Sequence, residues 1–454
     1  MVIVLLLGVV AACQGNTQGT GTYQEPIPPR TVIGAELPIT SSKATLVVDK
    51  IAYVGSTGDL FIVDPDGGNR LNLTGGARLG LSPVGGVAAS SFEGNDQYFW
   101  PTWSPDGALL AASHVNTAGR LPEVTVEVFD IGNSGVRTIY RNETPSLIAE
   151  GAPHYLYWSP DSGSLAFLVS SPAVFALMVA DLGDAGGGQR RSPDIIETGA
   201  PLYFHWGRGG DEILLHARNE LKMTVRPFDF RPSILLTVGQ GFRVGAFSPD
   251  GRRVAYTAAD GNGGGASLFI AETGAPDSGS AILDVGPLSA FAWSPEGSEL
   301  ALVDGGGPGD PGFQRLVVLP ADGGPARTLV EESVIAFFWS PAGDRISWVT
   351  VDPQDNMLEW KVSPVNDPAP NMLFRFHPTG DMLTMLSFFD QYAYSHSPWS
   401  PDGSSLVVAG TREEPYTRRN GGSPRGERIF VLDASGVAEP RELAEGSLGV
   451  WSWN

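Results

Sequence analysis

The chain holds a single cysteine, Cys13, so no disulfide can form within it and a thiolate metal cluster is excluded. Basic residues are scarce as well. Lys and Arg number 29 against 50 Asp and Glu, a formal charge of −21. Nucleic acid or an anionic lipid surface calls for a basic field, so neither is expected as a generic partner. No apolar run approaches the ~20 residues that a membrane-spanning helix needs. Long helices are also disfavoured: Gly 58 and Pro 36 make up about a fifth of the sequence, where ordinary usage is about 12%. A Gly-x-Ser-x-Gly nucleophile elbow is missing, as are Cys-x-x-Cys and His-Glu-x-x-His metal signatures. The expected reading is a non-enzyme with no room for a catalytic α/β-hydrolase domain after the repeats described below. What the chain does have is a hydrophobic fraction of 42%, too high for a disordered polymer.

Residues 1–12 are almost wholly apolar, too short to span a bilayer and of the length of a secretory h-region. They end in Val10-Ala11-Ala12-Cys13, which resembles the lipobox of bacterial lipoproteins. That resemblance implies lipidation on Cys13, which becomes the mature N-terminus. It places the protein on the extracytoplasmic side, anchored to a membrane. With Gln14 next, it favours the outer membrane where the host has two. Residues 13–42, dominated by Gln, Gly, Thr, Pro and Ser, read as a flexible tether, and 43–454 as one folded body.

That body is repetitive. Trp103-Ser104-Pro105-Asp106-Gly107 returns at Trp158, Phe247, Trp293, Trp339 and Trp399, in degenerate form at Trp206, and cut short as Trp451-Ser452. The spacing averages about 50 residues, a propeller-like period. Ser, Pro, Asp and Gly in succession suit a type I turn closed by a residue of positive φ. Apolar runs follow each turn, at 109–113, 165–169, 253–257, 300–303, 346–350 and 405–409. Further runs such as 60–64 and 70–74 complete four short strands per unit.

The pattern resembles the blade repeat of TolB-type, WD-repeat-like β-propellers. Ile51-Ala52-Tyr53-Val54, the run 60–64 and Gly67-Gly68-Asn69-Arg70-Leu71-Asn72-Leu73-Thr74 carry the match. The resemblance covers about residues 45–454, and it implies action in the cell envelope through protein contacts. The first unit lacks an innermost strand, and the last residues supply a lone Trp-Ser strand. The two halves are therefore expected to join, so that the C-terminal strand closes the ring. Eight blades result, or seven if the unit at Trp206 merges with a neighbour. The repeated Trp residues are expected to pack between blades.

Candidate sites are few. Tyr98, Trp100, His154, Tyr155, Tyr203, His205, Tyr394 and His396 precede blade Trp residues on presumed innermost strands. Such positions can form a ligand patch at the axial channel mouth, or simply inter-blade core. Three imidazoles could bind a metal, but their strands diverge around the ring, so none is expected. Calcium could sit in the acidic Gly-rich loops at 181–188, 260–265 and 304–310, although hairpin turns with solvated carboxylates are the expected reading. The stretch 411–428 carries Arg412, Arg418, Arg419, Arg425 and Arg428 on an otherwise acidic body, and reads as a partner-binding loop or a solvated insertion. The apolar stretch 364–390 reads as a packed flap or an extra strand. The functional expectation is a monomeric, lipid-anchored, protein- or peptide-binding scaffold of the bacterial envelope that uses no cofactor. The alternatives are a propeller enzyme or carbohydrate- or peptide-binding protein with its site at the channel mouth, and an accessory propeller serving a separate peptidase.

Overall fold

The Ser-Pro-Asp-Gly turns form as their chemistry dictates. At the first, Gly107 N–H donates to the Ser104 carbonyl at 2.8 Å, and Gly107 takes φ 71°. The Ser104 hydroxyl donates to Asp106 at 2.6 Å and accepts from Leu109 N–H at 2.9 Å. The same lock recurs at Ser159, Ser248 and Ser400, and Ser162 carries the positive φ, 60°, where the other copies have Gly. At Ser340, where Ala342 replaces the acid, the hydroxyl bonds Asp344 instead, at 2.8 Å. Each turn thus consumes its own polar groups and sends the chain back as an antiparallel neighbour.

The computed structural model describes residues 49–75, 96–119, 122–142, 153–170, 175–182, 193–226, 228, 234–238, 245–259, 266–286, 288–305, 312–412 and 426–454. Cys13, the tether, Arg418, Arg419, Arg425 and the loop 260–265 lie outside them. The first short strands are β1 (Ile51–Gly55), β2 (Leu60–Val63) and β3 (Leu71–Asn72). A four-stranded meander follows: β4 (Asp96–Trp103), β5 (Leu109–Asn116), β6 (Glu123–Asp130) and β7 (Gly135–Arg141). The next is β8 (His154–Trp158), β9 (Ser164–Ser170), β10 (Phe175–Asp181) and β11 (Asp194–Gly199). Then come β12 (Leu202–Trp206), β13 (Glu212–Ala217), β14 (Glu220–Val225) and β15 (Ile234–Val238). Another sheet holds β16 (Gly245–Phe247), β17 (Arg253–Ala259), β18 (Ala266–Glu272) and β19 (Ala275–Val285). The next holds β20 (Ser289–Trp293), β21 (Glu299–Asp304), β22 (Arg315–Pro320) and β23 (Arg327–Val330). The degenerate unit at Trp206 therefore builds a complete sheet of its own.

The remaining strands form one ten-stranded sheet with β1–β3. They are β24 (Val334–Trp339), β25 (Arg345–Val351), β26 (Leu358–Pro364), β27 (Asn371–Pro378), β28 (Ser405–Thr411), β29 (Arg428–Asp433) and β30 (Arg441–Trp451). β30 serves two neighbours in succession. Its first half pairs with β29, Glu445 opposite Arg428. Its second half pairs with β1, Trp451 opposite Ile51 and Leu448 opposite Val54. The two ends of the chain are thus zipped together by an antiparallel ladder, as the repeat pattern predicts. Glycine is required at this crossover. A Cβ on Gly446 would collide with the Val54 carbonyl, and one on Gly449 would lie 2.9 Å from Val407 Cγ2.

Neighbouring sheets are stapled by indoles. Trp158 Nε1 donates to the Thr102 carbonyl at 3.1 Å, one residue before the Trp of the preceding sheet. The same bond joins Trp206 to Tyr157 (3.0 Å), Trp293 to Ala246 (3.1 Å), Trp339 to Ala292 (3.2 Å) and Trp399 to Phe338 (3.2 Å). Arg253 lies over Trp293, and Arg345 over Trp399, each with the cation against the ring face. The molecule is an all-β assembly of four-stranded antiparallel sheets packed face to face through buried Trp, the architecture of a β-propeller.

Candidate functional site

The segment between β27 and Trp399 is no extra strand: it is packed, as one of the two expectations had it, and it is helical. Thr379 caps α1 (Gly380–Ser387), its hydroxyl accepting from Met382 N–H, and a short α2 (Phe389–Tyr392) follows. Met382, Met385 and Leu386 are buried on one face, at the i, i+3, i+4 spacing of an amphipathic helix. This segment meets innermost strands from all round the molecule. Thr379 Oγ1 donates to Ser447 O on β30 at 2.5 Å, and Ser447 Oγ donates to Asp381 at 2.7 Å. Phe389 packs on Phe337 and Phe338 of β24. Thr102 of β4 donates to Ser395 O at 2.9 Å. Tyr394 accepts from Trp293 N–H of β20 at 3.4 Å, and its ring meets His205 of β12 edge-on at 4.4 Å. Only the central axis lies within reach of all these strands, so residues 379–398 fill the axial channel.

Two neighbouring strands are bent to receive this plug. Trp100 and Tyr155 take φ 53° and 51°, and the registers of β4 and β8 slip at these points. Such bulges re-aim side chains. Trp100 stacks on Tyr392 at 5.0 Å, and Tyr155 meets the same ring edge-on at 5.5 Å.

The structure brings Trp100, Tyr155, Tyr203, His205, Tyr394 and His396 together around the plug. Tyr394 and His396 do not sit on a strand: they follow α2 as part of the plug itself. Tyr98 and His154 turn elsewhere. Tyr98 stacks on His114 at 4.4 Å and donates to Glu127 at 3.0 Å, and His154 packs edge-on to Phe175. Sequence reading missed Asp390, Gln391 and Tyr392. The Thr379 cap, with Asp381 in the first turn and the Met382-Met385-Leu386 spacing, was the signal that could have found the helix.

The buried cluster is chemically constrained. Burial pushes His205 and His396 down to about 3, so both imidazoles are neutral. Neither ring nitrogen of His205 has a well-formed partner, and His396 bonds Ser395 through Nδ1 at 2.7 Å. Burial raises Asp390 to about 6, opposed by the Asp390 and Gln391 N–H groups. Desolvation is also the first cause lifting Tyr155, Tyr203, Tyr392 and Tyr394 above the usual phenol range. The cavity between Thr102, Tyr157, Tyr394, Ser395 and Trp453 measures only about 30 Å³. That is room for about one water, not for a substrate.

The other expected positions are engaged in the framework. Arg412 donates to Pro440 O at 2.7 Å and lies over Phe374 and Phe430. Arg428 pairs with Glu442 at 2.8 Å and Glu445 at 3.0 Å. Of the acidic-loop residues, Asp181 pairs with Arg226, and Asp304 pairs with Arg315 while accepting from Gly286 and Gly305 N–H. Asp64 and Asp66 close a hairpin turn, bonding Asn69 and Gly68. Among the described residues, no group of three or more His, Cys, Asp and Glu is placed to hold a metal ion. No helix among them is long and apolar enough to cross a membrane.

No family model matches this sequence, and no curated protein matches it. Solved β-propellers share its general build. TolB from Acinetobacter baumannii is 16% identical, with a TM-score of 0.39 over 76% of this chain and 83% of that one. The β-propeller domain of the Trilobed protease from Pyrococcus furiosus is 12% identical, with a TM-score of 0.45 over 78% of this chain and 99% of that one. An oligogalacturonate lyase solved with manganese is 11% identical, with a TM-score of 0.49 over 86% and 98%. The repeated four-stranded sheets and the indoles that join them define the class, a β-propeller, and TolB is among the solved structures it resembles. Likenesses this distant describe a shared fold and carry nothing about activity.

Proposed function

We propose that this chain is a non-catalytic, lipid-anchored scaffold that binds proteins or peptides on the extracytoplasmic side of a bacterial envelope. The observation that carries the reading is the filled axis: the chain's own residues 379–398 occupy the space in which a channel-mouth enzyme would hold its substrate. The architecture proposed is an eight-bladed ring. Supporting it, β24–β27 form one blade of the ten-stranded sheet. Trp399, bridged to Leu406, forms a second with β28, β29 and the first half of β30, and the second half of β30 forms the last with β1–β3.

The geometry also bears on orientation. Asp49 N–H donates to Asn454 O at 2.5 Å, and Asn454 Nδ2 donates to Pro105 O in a Ser-Pro-Asp-Gly turn. The tether therefore joins the body on the face that carries these turns. The connection between β28 and β29, with its arginines, leaves from the opposite ends of the strands. Cys13→Ser should lose palmitate label, and retained label refutes the anchor. Affinity capture from detergent-solubilised envelope should recover partners with the full chain and lose them when residues 413–425 are removed. Identical partner lists refute the loop's part in the scaffold.

A further inference from the structure

A second cavity lies off the axis, at the seam where β30 passes from β29 to β1. It measures about 220 Å³ and is lined by Gly55, Ser56, Thr57, Phe61, Arg70 and Glu445. Its floor is aromatic. Tyr53 and Phe61 are cross-strand partners and stack at 5.1 Å, 13° from parallel. Gly55 makes room for this pair, since a Cβ there would lie 2.7 Å from Phe61 Cε2. The Arg70 guanidinium lies 4.4 Å above the Phe61 ring and 5.5 Å from the Tyr53 ring.

Arg70 stands apart from its counterparts in the repeat. Arg327, which also follows a Gly-Gly turn, donates to Val365 O and Glu299, both at 2.7 Å, and so ties one sheet to another. Arg441 donates to Pro65 O. Arg70 has no carboxylate or carbonyl partner among the described residues. Its stem and one face are spent on the rings, which leaves the donor edge of the fork open to the cavity. A second polar group nearby is also unspent: the Tyr53 hydroxyl is buried and has no hydrogen-bond partner among the described residues. Arg70's charge acts on that hydroxyl, partly offsetting the desolvation that raises it.

The opposite wall sets the sign and size of the ligand. Glu445 holds Arg428 at 3.0 Å and accepts from Ser56 at 3.3 Å, so the cavity offers one open cation facing a compensated carboxylate. A doubly charged phosphate would meet a single unpaired guanidinium and the repulsion of Glu445, on a body of charge −21. A monocarboxylate with a short apolar stem matches the site better: two oxygens for the fork, and methylenes for the aromatic edge.

We propose that this seam cavity is a carboxylate-binding site, with Arg70 as its anchor and the Tyr53–Phe61 pair as its platform. The carboxylate comes either from a free small acid or from an acidic side chain of a docked peptide. The site stands whether or not the scaffold reading holds. The test is an NMR titration of the full folded chain, observing arginine Nε–Hε signals, with Arg70 assigned by its absence from the Arg70→Lys spectrum. Acetate and Nα-acetyl-glutamate amide are expected to shift the Arg70 signal saturably. Arg70→Met should weaken either ligand roughly tenfold or more, the usual cost of losing a charged hydrogen-bond partner. Tighter binding of the glutamate amide points to a peptide source, and equal or tighter binding of acetate to a free acid. An Arg70 signal that no carboxylate saturates overturns the proposal. So does tighter binding of inorganic phosphate than of acetate, or unchanged affinity in a folded Arg70→Met protein.

Discussion

The joints between neighbouring sheets and the seam that closes the ring use different chemistry. At the joints, a buried Trp donates to the carbonyl of the preceding sheet, from Trp158 onto Thr102 through to Trp399 onto Phe338. At the seam, the indoles of Trp451 and Trp103 are just as buried, yet neither Nε1 has a partner among the described residues. The seam is held instead by the β30–β1 ladder, by Trp453 donating to Trp103 O at 3.2 Å, and by the plug's contacts with Ser447. The same residue type at the same repeat position therefore does two jobs. It staples at the joints and only fills space at the seam. The seam is also where the Arg70 cavity opens.

Five changes would break or sharpen this contrast. Removing residues 446–454 takes away the closing strand, leaves β1 as an exposed edge and should abolish cooperative unfolding in urea, with aggregation following. Trp206→Ala, at a joint, should cost about 3–5 kcal/mol of unfolding free energy through the cavity it leaves. Third comes the plug, which ties the seam strand to the others. Asp390 begins to ionise near 6 in the folded protein, against the ordinary carboxyl value of 3.8. Its contribution is fullest below pH 3.8 and is lost as pH rises through 6, levelling off about 3 kcal/mol lower. Asp390→Asn should remove that slope and raise stability at pH 7.5, measured as urea midpoints across pH; an unchanged slope refutes the assignment. The smallest effects make the sharpest pair. Trp206→Phe should cost about 1–2 kcal/mol, because it removes the indole hydrogen bond to the Tyr157 carbonyl. Trp451→Phe should cost less than Trp206→Phe, since it deletes an indole N–H that was already unpaired. Equal losses in the two would erase the distinction between joint and seam.

Much of the framework was legible in the chain. The Ser-Pro-Asp-Gly turns carry their own hydrogen-bond partners within five residues, so local sequence suffices to place them, and with them the strands on either side. The pairing of Trp451 with Ile51 was also readable, because a half-unit at each end leaves a single way to complete the repeat. The plug was not. Its helix signal was short, and the apolar character of 364–390 overshadowed it; that character is shared between β27 and α1. Nor could sequence show that Trp100 and Tyr155 are bulged toward the axis, because a positive φ in a bulky residue is imposed by its neighbours rather than by its own preference.

Sequence by itself determined the strand-turn period, the acidic surface and the closure of the ring, because each follows from residue types at fixed spacing along one strand or turn. Tertiary structure alone decided what occupies the axis, which indoles find a carbonyl and which arginine is left unspent. Those outcomes depend on how groups far apart in the chain are brought against one another, and no local pattern encodes that.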